Sequence, residues 1–197
     1  LIWEQKLQFG EELSGANNVH LVGNTLIGAQ INDDFEIAEL WAIDARSGSI
    51  GWRYQTPKGT SCFTVSGEFV FYTINSWESE DFESKLAVLE FDPGDAFSKL
   101  IEQGVTSIPK VDSPTGIIVR DNMVFGSEYS SLFRFDLVSQ WLTWVVEIDS
   151  HDLHAVNDRF LFVSNWNNLH AIEVEEGKVD WSSDSTTYVT AVDKSEN

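Results

Sequence analysis

The stretch LWAIDARSGSIGW, residues 40–52, places an acidic residue, a glycine and a tryptophan at fixed distances from one another. The spacing is Ala42-x-Asp44, then Gly48, then Trp52. Two short apolar runs flank a polar turn, which is the pattern of a β-hairpin. The Asp44 carboxylate can accept hydrogen bonds from N–H groups of the turn, and Gly48 can adopt a positive φ. The stretch therefore predicts two strands, with Trp52 on the second.

The same spacing recurs further along the chain. In residues 171–181 the matching positions are Ala171, Glu173, Gly177 and Trp181, and in residues 134–144 they are Arg134, Asp136, Gln140 and Trp144. In residues 90–100 only Asp92 matches, and Leu100 stands at the tryptophan position. Two further strand-like runs precede each copy, so each repeat predicts four strands. A period of about 40 to 45 residues is that of a propeller blade.

These repeats predict an all-β fold, a β-propeller of about four four-stranded blades within a single domain, 1–197. The expected blades are approximately 14–56, 60–102, 114–148 and 152–183, with flanking strands at 1–7 and 186–192. The flanking strands either close a small ring or belong to further blades of a larger propeller. We favour the larger propeller, because the two segments resemble a first and a last strand, which are not neighbours within a blade. A helical turn competes only in residues 95–104.

The motif at residues 42–52 and 171–181 resembles the tryptophan docking motif of quinoprotein-type (PQQ-like) β-propellers. This family includes quinone-dependent dehydrogenases and the related outer-membrane assembly scaffold, and this chain is more similar to the scaffold. The dehydrogenases are expected to need a vicinal disulfide, a calcium site and a catalytic aspartate. The chain has one cysteine and five arginines, too few for that disulfide or for holding an anionic quinone. We therefore expect no cofactor, no metal and no catalytic residue.

The histidines and the cysteine have ordinary structural interpretations. His20, His151, His154 and His170 are interpreted as polar tips at strand edges, since alternation along a strand separates His151 from His154. Cys62 flanks an apolar run and is expected to be buried. The chain contains neither a Gly-rich phosphate loop nor the context of a nucleophilic serine.

The charge of the chain is strongly one-sided, with 32 acidic and 12 basic residues and a formal net charge of -20. Such a surface repels nucleic acid and anionic membranes and attracts basic protein partners. No apolar run approaches the roughly 18 residues of a membrane span. The sequence thus predicts a soluble protein of the bacterial cytoplasm or periplasm, without deciding between the two.

The connections between the second and third strands of each blade, here called B–C loops, combine aromatic and acidic residues. In a propeller these loops lie on one face, and aromatic anchors inside a charged rim are typical of a protein-binding surface. The candidate binding residues are Asp33, Asp34, Phe35, Glu36, Trp77, Glu78, Glu80, Asp81, Phe82, Glu83, Tyr129 and Trp166.

These features predict a non-catalytic scaffold that binds a basic protein partner through the acidic B–C loops. Two alternatives remain open at this point. The chain is also suited to be an immunity protein that neutralises a basic toxin domain, since opposite charges speed association. The second alternative, a quinoprotein-like enzyme, is the less favoured because the dehydrogenase features are missing.

Overall fold

A computed structural model describes residues 19–75, 83–149, 152–165 and 167–184. Within these ranges the secondary structure consists of strands, which form four four-stranded antiparallel sheets. The predicted all-β class with four-stranded blades is confirmed. The chain divides into two compact units, residues 1–107 and 108–197, and each contains two of the sheets. The flanking segments 1–7 and 186–192 lie outside the described residues, so their assignment stays a prediction.

The first unit contains sheets 1 and 2, whose strands lie side by side in chain order. Sheet 1 consists of β1 (His20–Val22), β2 (Thr25–Ile31), β3 (Ile37–Asp44) and β4 (Ile50–Gln55). Sheet 2 consists of β5 (Thr60–Ser66), β6 (Phe69–Ile74), β7 (Glu83–Glu90) and β8 (Ile101–Pro109). Residues 92–100 form turns, not the competing helical turn, and β8 extends beyond the expected end of the second blade.

The second unit contains sheets 3 and 4, with the same simple order of strands. Sheet 3 consists of β9 (Gly116–Arg120), β10 (Met123–Ser127), β11 (Ser131–Asp136) and β12 (Trp141–Glu147). Sheet 4 consists of β13 (Asp152–Val156), β14 (Phe160–Ser164), β15 (Asn168–Glu173) and β16 (Val179–Asp184). Neighbouring strands are joined by tight turns, which fixes the register of each hairpin.

Each unit has its own core, formed mainly by the middle strands of its sheets. A middle strand is covered on both faces, so it carries a nearly continuous apolar run. In the first unit the run Ile37–Asp44 contributes Ile37, Leu40 and Ala42 to a core shared with sheet 2. In the second unit Phe125, Leu132, Leu161 and Ile172 are buried together. The cores hold the sheets of a unit face to face and so position the turns.

Candidate functional site

The turn between the third and fourth strands, the C–D turn, is built in the same way in sheets 1 and 3. The Asp44 Oδ1 atom accepts hydrogen bonds from the backbone N–H groups of Arg46 and Ser47, at 3.1 and 2.7 Å. Asp136 Oδ1 accepts from Val138 and Ser139, both at 2.8 Å. These bonds lower the pKa of both carboxyl groups, chiefly through the backbone N–H groups of Ser47 and Ser139.

The residue four positions after the acidic one has a positive φ in these C–D turns. The φ angles are 73° at Gly48, 53° at Gln140 and 67° at Gly177. Gly177 also donates its N–H to the Glu173 carbonyl oxygen at 2.8 Å, as Gly48 does to Asp44. Gln140 therefore holds a left-handed conformation that favours glycine.

Trp52 on β4 packs against the second sheet of its own unit. Its side chain is only 9% exposed, and its ring lies 6.4 Å from the ring of Phe91 in an edge-to-face arrangement. Its backbone N–H donates to the Ala96 carbonyl oxygen at 3.1 Å. The indole N–H is buried and has no hydrogen-bond partner among the described residues. Trp52 thus joins sheet 1 to the C–D turn of sheet 2.

Trp144 on β12 makes the corresponding contact in the second unit. Its indole N–H donates to the Val174 carbonyl oxygen at 2.9 Å, and the ring covers Gly177. A Cβ atom at Gly177 would lie 2.8 Å from the ring carbon Cδ2 of Trp144. Arg134 joins the same turn by donating to Val174 at 3.0 Å and pairing with Glu175 at 3.1 Å. Sheet 3 therefore docks onto the C–D turn of sheet 4.

Trp181 holds the equivalent position on β16 but is 40% exposed. Its ring packs on Phe162 within sheet 4, with ring centroids 6.3 Å apart. Ala42 and Ala171, the first residues of the motif, are fully buried in β3 and β15. The motif residues thus occupy equivalent places within their sheets.

The B–C loop of sheet 1 spans residues 32–36 and presents an aromatic ring to solvent. Phe35 is 79% exposed and has a φ of 62°, which is rare for a bulky side chain. Asn32 Oδ1 accepts the backbone N–H groups of Asp34 and Glu36, at 3.0 and 2.9 Å. Asp33 and Asp34 are exposed, and Glu36 is half-buried. The loop backbone is therefore fixed while Phe35 projects outward.

The other candidate loop residues are placed less uniformly. Tyr129, in the B–C loop of sheet 3, is 74% exposed. Glu83 is the first residue of β7 and is half-buried, so it belongs to a strand and not to a loop. The remaining candidates lie outside the described residues, namely Trp77, Glu78, Glu80, Asp81, Phe82 and Trp166.

His170 departs from the expected polar strand edge, whereas His20 and His154 are half-buried on the edge strands β1 and β13. His170 is buried, and its Nδ1 atom lies 2.7 Å from Ser182 Oγ. His20 contacts the edge of Phe63 at 5.4 Å between ring centroids. The Nε2 atoms of both are buried without a hydrogen-bond partner in the described ranges. His154 bonds Ser164 Oγ at 2.7 Å, and His151 lies outside the described residues.

Loss of hydration on burial, which disfavours the charged imidazolium, lowers the pKa of His20, His154 and His170. Cys62 is buried, and this raises the pKa of its thiol to about 11. Such a thiol is almost entirely protonated at neutral pH, which makes it a poor nucleophile. Cys62 and His170 are therefore explained as buried structural residues, and His20 and His154 are half-buried.

The described part of the chain contains no group of three or more His, Cys, Asp or Glu side chains arranged to hold a metal ion. In the same ranges, no helix is long and apolar enough to cross a membrane.

Sequence reasoning missed several exposed apolar residues outside the B–C loops. They are Phe97 in the C–D turn of sheet 2, Val138 in the C–D turn of sheet 3, and Trp141 and Val145 on β12. It also missed Gly51, where a Cβ atom would overlap the Ala96 carbonyl oxygen. The alternation of β12 was visible in the sequence, but which of its faces is covered was not.

One protein family and several solved structures resemble this chain. Residues 1–183 match the family described as "Outer membrane protein assembly factor BamB". No curated protein matches the sequence. Among solved structures, BamB from Moraxella catarrhalis is 15% identical with a TM-score of 0.50, and the match covers 86% of this chain and 52% of that one. Hydrazine synthase from Kuenenia stuttgartiensis is 13% identical with a TM-score of 0.62, and the match covers 93% and 53%.

At these identities the two structures show a shared fold alone, and this chain spans about half the length of each. The family match covers most of the chain and agrees with the repeated docking turns of both units. The chain therefore belongs to the family of PQQ-like β-propellers described as outer membrane protein assembly factor BamB.

Proposed function

We propose that this chain is a non-catalytic scaffold that binds another protein, with the B–C loop of sheet 1 as a contact site. The observation that carries the proposal is the exposed Phe35 ring on a fixed backbone. An aromatic side chain held in place loses little entropy on binding and is a common anchor of protein interfaces. The family description, that of an assembly factor, supports a binding role.

The charge around Phe35 supports a basic partner. Asp33, Asp34 and Glu36 flank Phe35 in the sequence of one five-residue loop, and the whole chain carries a formal net charge of -20. Carboxylates at the rim of an interface speed association with a cationic surface and exclude acidic proteins. Binding is therefore expected to weaken as the salt concentration rises. Tyr129 is the equivalent exposed aromatic residue of the second unit and offers a separate site to test.

A photo-crosslinking experiment in cells that make the natural protein tests this function. Benzoylphenylalanine replaces Phe35 in one variant and Phe97 in the control, since both rings are exposed and lie in the first unit. The proposal expects a protein adduct at position 35 that is absent at position 97. The adduct should also be lost when Asp33 and Asp34 are changed to Asn. The same adducts at both positions, or none at position 35, would contradict it.

A further inference from the structure

The strand β12, Trp141–Glu147, forms the outer edge of sheet 3. It pairs with β11 along one side, and none of the described strands pairs with its other side. An edge strand presents an unpaired row of backbone N–H and C=O groups, which is a template for one more strand. Proteins usually protect such edges with charged side chains, irregular backbone or proline.

The other outer strands carry protection of this kind. On β4, Arg53 pairs with Glu39 at 3.1 Å. On β8, Glu102 is exposed and Gly104 adopts a φ of 146°, which interrupts the regular backbone. On β16, Asp180 lies near Arg159. In contrast, β12 has no charged residue between Trp141 and Val146, and its first charge is Glu147 at the end.

Exposed apolar side chains border the edge of β12 that no described strand covers, and they lie on both of its faces. The register shifts between Arg134 and Phe135, which places Trp141 on the same face as Trp144 and Val145 on the opposite face. Trp141 is 70% exposed and Val145 is 48% exposed. An added strand would therefore bury apolar surface on both faces while it paired with the backbone.

We propose that β12 accepts an extended, cationic segment of a partner protein as the fifth strand of sheet 3. Charge complementarity selects this occupant. Residues 135–149 contain no lysine or arginine, and Glu147 and Asp149 are exposed at the end of the strand. A lysine above the Trp141 ring would gain a cation–π contact. A second copy of this chain would bring a like net charge of -20 to the same edge. This site is separate from the loop at Phe35, so either can fail alone.

A defined peptide tests strand addition directly. The probe is a ten-residue peptide of alternating valine and lysine with blocked ends, mixed with the full chain at low salt. We expect it to slow amide hydrogen exchange in residues 141–147, because the added strand takes up free N–H and C=O groups of β12. Slowed exchange elsewhere, with no change in β12, would overturn the proposal.

Two methylated versions of the peptide separate backbone pairing from general attraction to an acidic protein. One carries methyl groups on the valine amides and the other on the lysine amides, and both keep the charge. Only one set of amides can face β12, so one version should bind at least about 10-fold more weakly, a loss near 1.4 kcal/mol, while the other binds like the parent. Equal binding of all three peptides would overturn strand addition.

Matched variants locate the site on the protein. Val145→Lys places a charge on the β12 edge, whereas Val105→Lys makes the same change on the exposed part of β8. We expect Val145→Lys to weaken peptide binding by at least about 10-fold, and Val105→Lys to change it by less than about two-fold. Trp141→Lys provides a second variant if Val145→Lys does not fold. Equal losses of peptide affinity for the β12 and β8 variants would show that β12 is not the binding site.

Discussion

Trp52 and Trp144 make the same kind of contact with the next sheet, but the glycine that permits the contact lies on opposite sides of the two interfaces. In the first unit it is Gly51, beside the tryptophan, and the Ala96 carbonyl oxygen lies against it. In the second unit it is Gly177, on the turn that receives the ring. The difference shows that the docking position is retained while the atoms in closest contact change.

The hydrogen bonds differ in the same way. In the first unit the backbone N–H of Trp52 bonds the turn, and its indole N–H has no partner in the described ranges. In the second unit the indole N–H of Trp144 bonds the Val174 carbonyl oxygen. The first interface thus depends on close backbone approach and the second on ring placement. The C–D turn of sheet 2 matches the spacing of the repeated motif least well. It receives Trp52 although it lacks the motif glycine.

The largest expected effect separates covered from uncovered tryptophans. Trp52→Ala should lower the free energy of unfolding by about 3–5 kcal/mol, because a large ring is lost from a packed core. Trp181→Ala should cost less than half as much, since its side chain is already 40% exposed. Urea unfolding followed by circular dichroism measures both. Equal losses would show that Trp181 is covered in solution.

The two glycines give the next largest effect. Gly51→Ala and Gly177→Ala should each lower the free energy of unfolding by about 1–3 kcal/mol through overpacking, with backbone strain added at Gly177. Gly67→Ala is the control, because Gly67 has a φ of 60° with no atom within 4 Å of an added Cβ. If Gly67→Ala costs as much as Gly177→Ala, contact with the Trp144 ring contributes nothing.

Replacing each tryptophan by phenylalanine sharpens the hydrogen-bond comparison. Trp144→Phe removes the bond to Val174, whereas Trp52→Phe removes an N–H that is unpaired among the described residues. Both substitutions lose the same ring volume. Trp144→Phe should therefore lower the free energy of unfolding by about 1 kcal/mol more than Trp52→Phe does. Thermal unfolding of the two variants beside the parent measures this difference. A larger loss for Trp52→Phe would reverse the assignment of the two interfaces.

The smallest effect concerns acid sensitivity in both units. Burial lowers the pKa of His20 and His170 below the ordinary 6.5, so the unfolded chain takes up protons first as pH falls. Above pH 6.5 these histidines are largely neutral in both the folded and the unfolded state. As pH falls from 6.5 towards the lower folded-state pKa, the free energy of unfolding decreases. His170→Asn can keep a hydrogen bond to Ser182 and should flatten this decrease in urea unfolding at pH 7 and 5. Parallel curves for variant and parent would rule out a contribution from His170.

The local features of the fold were readable from the sequence. Alternating apolar runs and the spacing of Asp44, Gly48 and Trp52 specify a hairpin, because turn geometry and strand alternation depend on neighbouring residues. Repetition of that spacing predicted four sheets of the same kind. In contrast, β8 extends past its expected end and Glu83 lies in a strand. Strand ends depend on pairing with a neighbouring strand, which the sequence of one segment does not contain.

The sequence by itself determined the class of fold, the repeat and the acidic character of the chain. Only the tertiary structure decided that His170 is buried, that Phe35 is exposed, and that the outer edge of β12, which no described strand covers, carries exposed apolar side chains. The physical reason is the range of the interactions. Backbone propensity and charge act within or near a residue, whereas burial depends on which distant segments pack against it. The same distinction explains why Gly51 and Gly177 serve one contact from opposite sides.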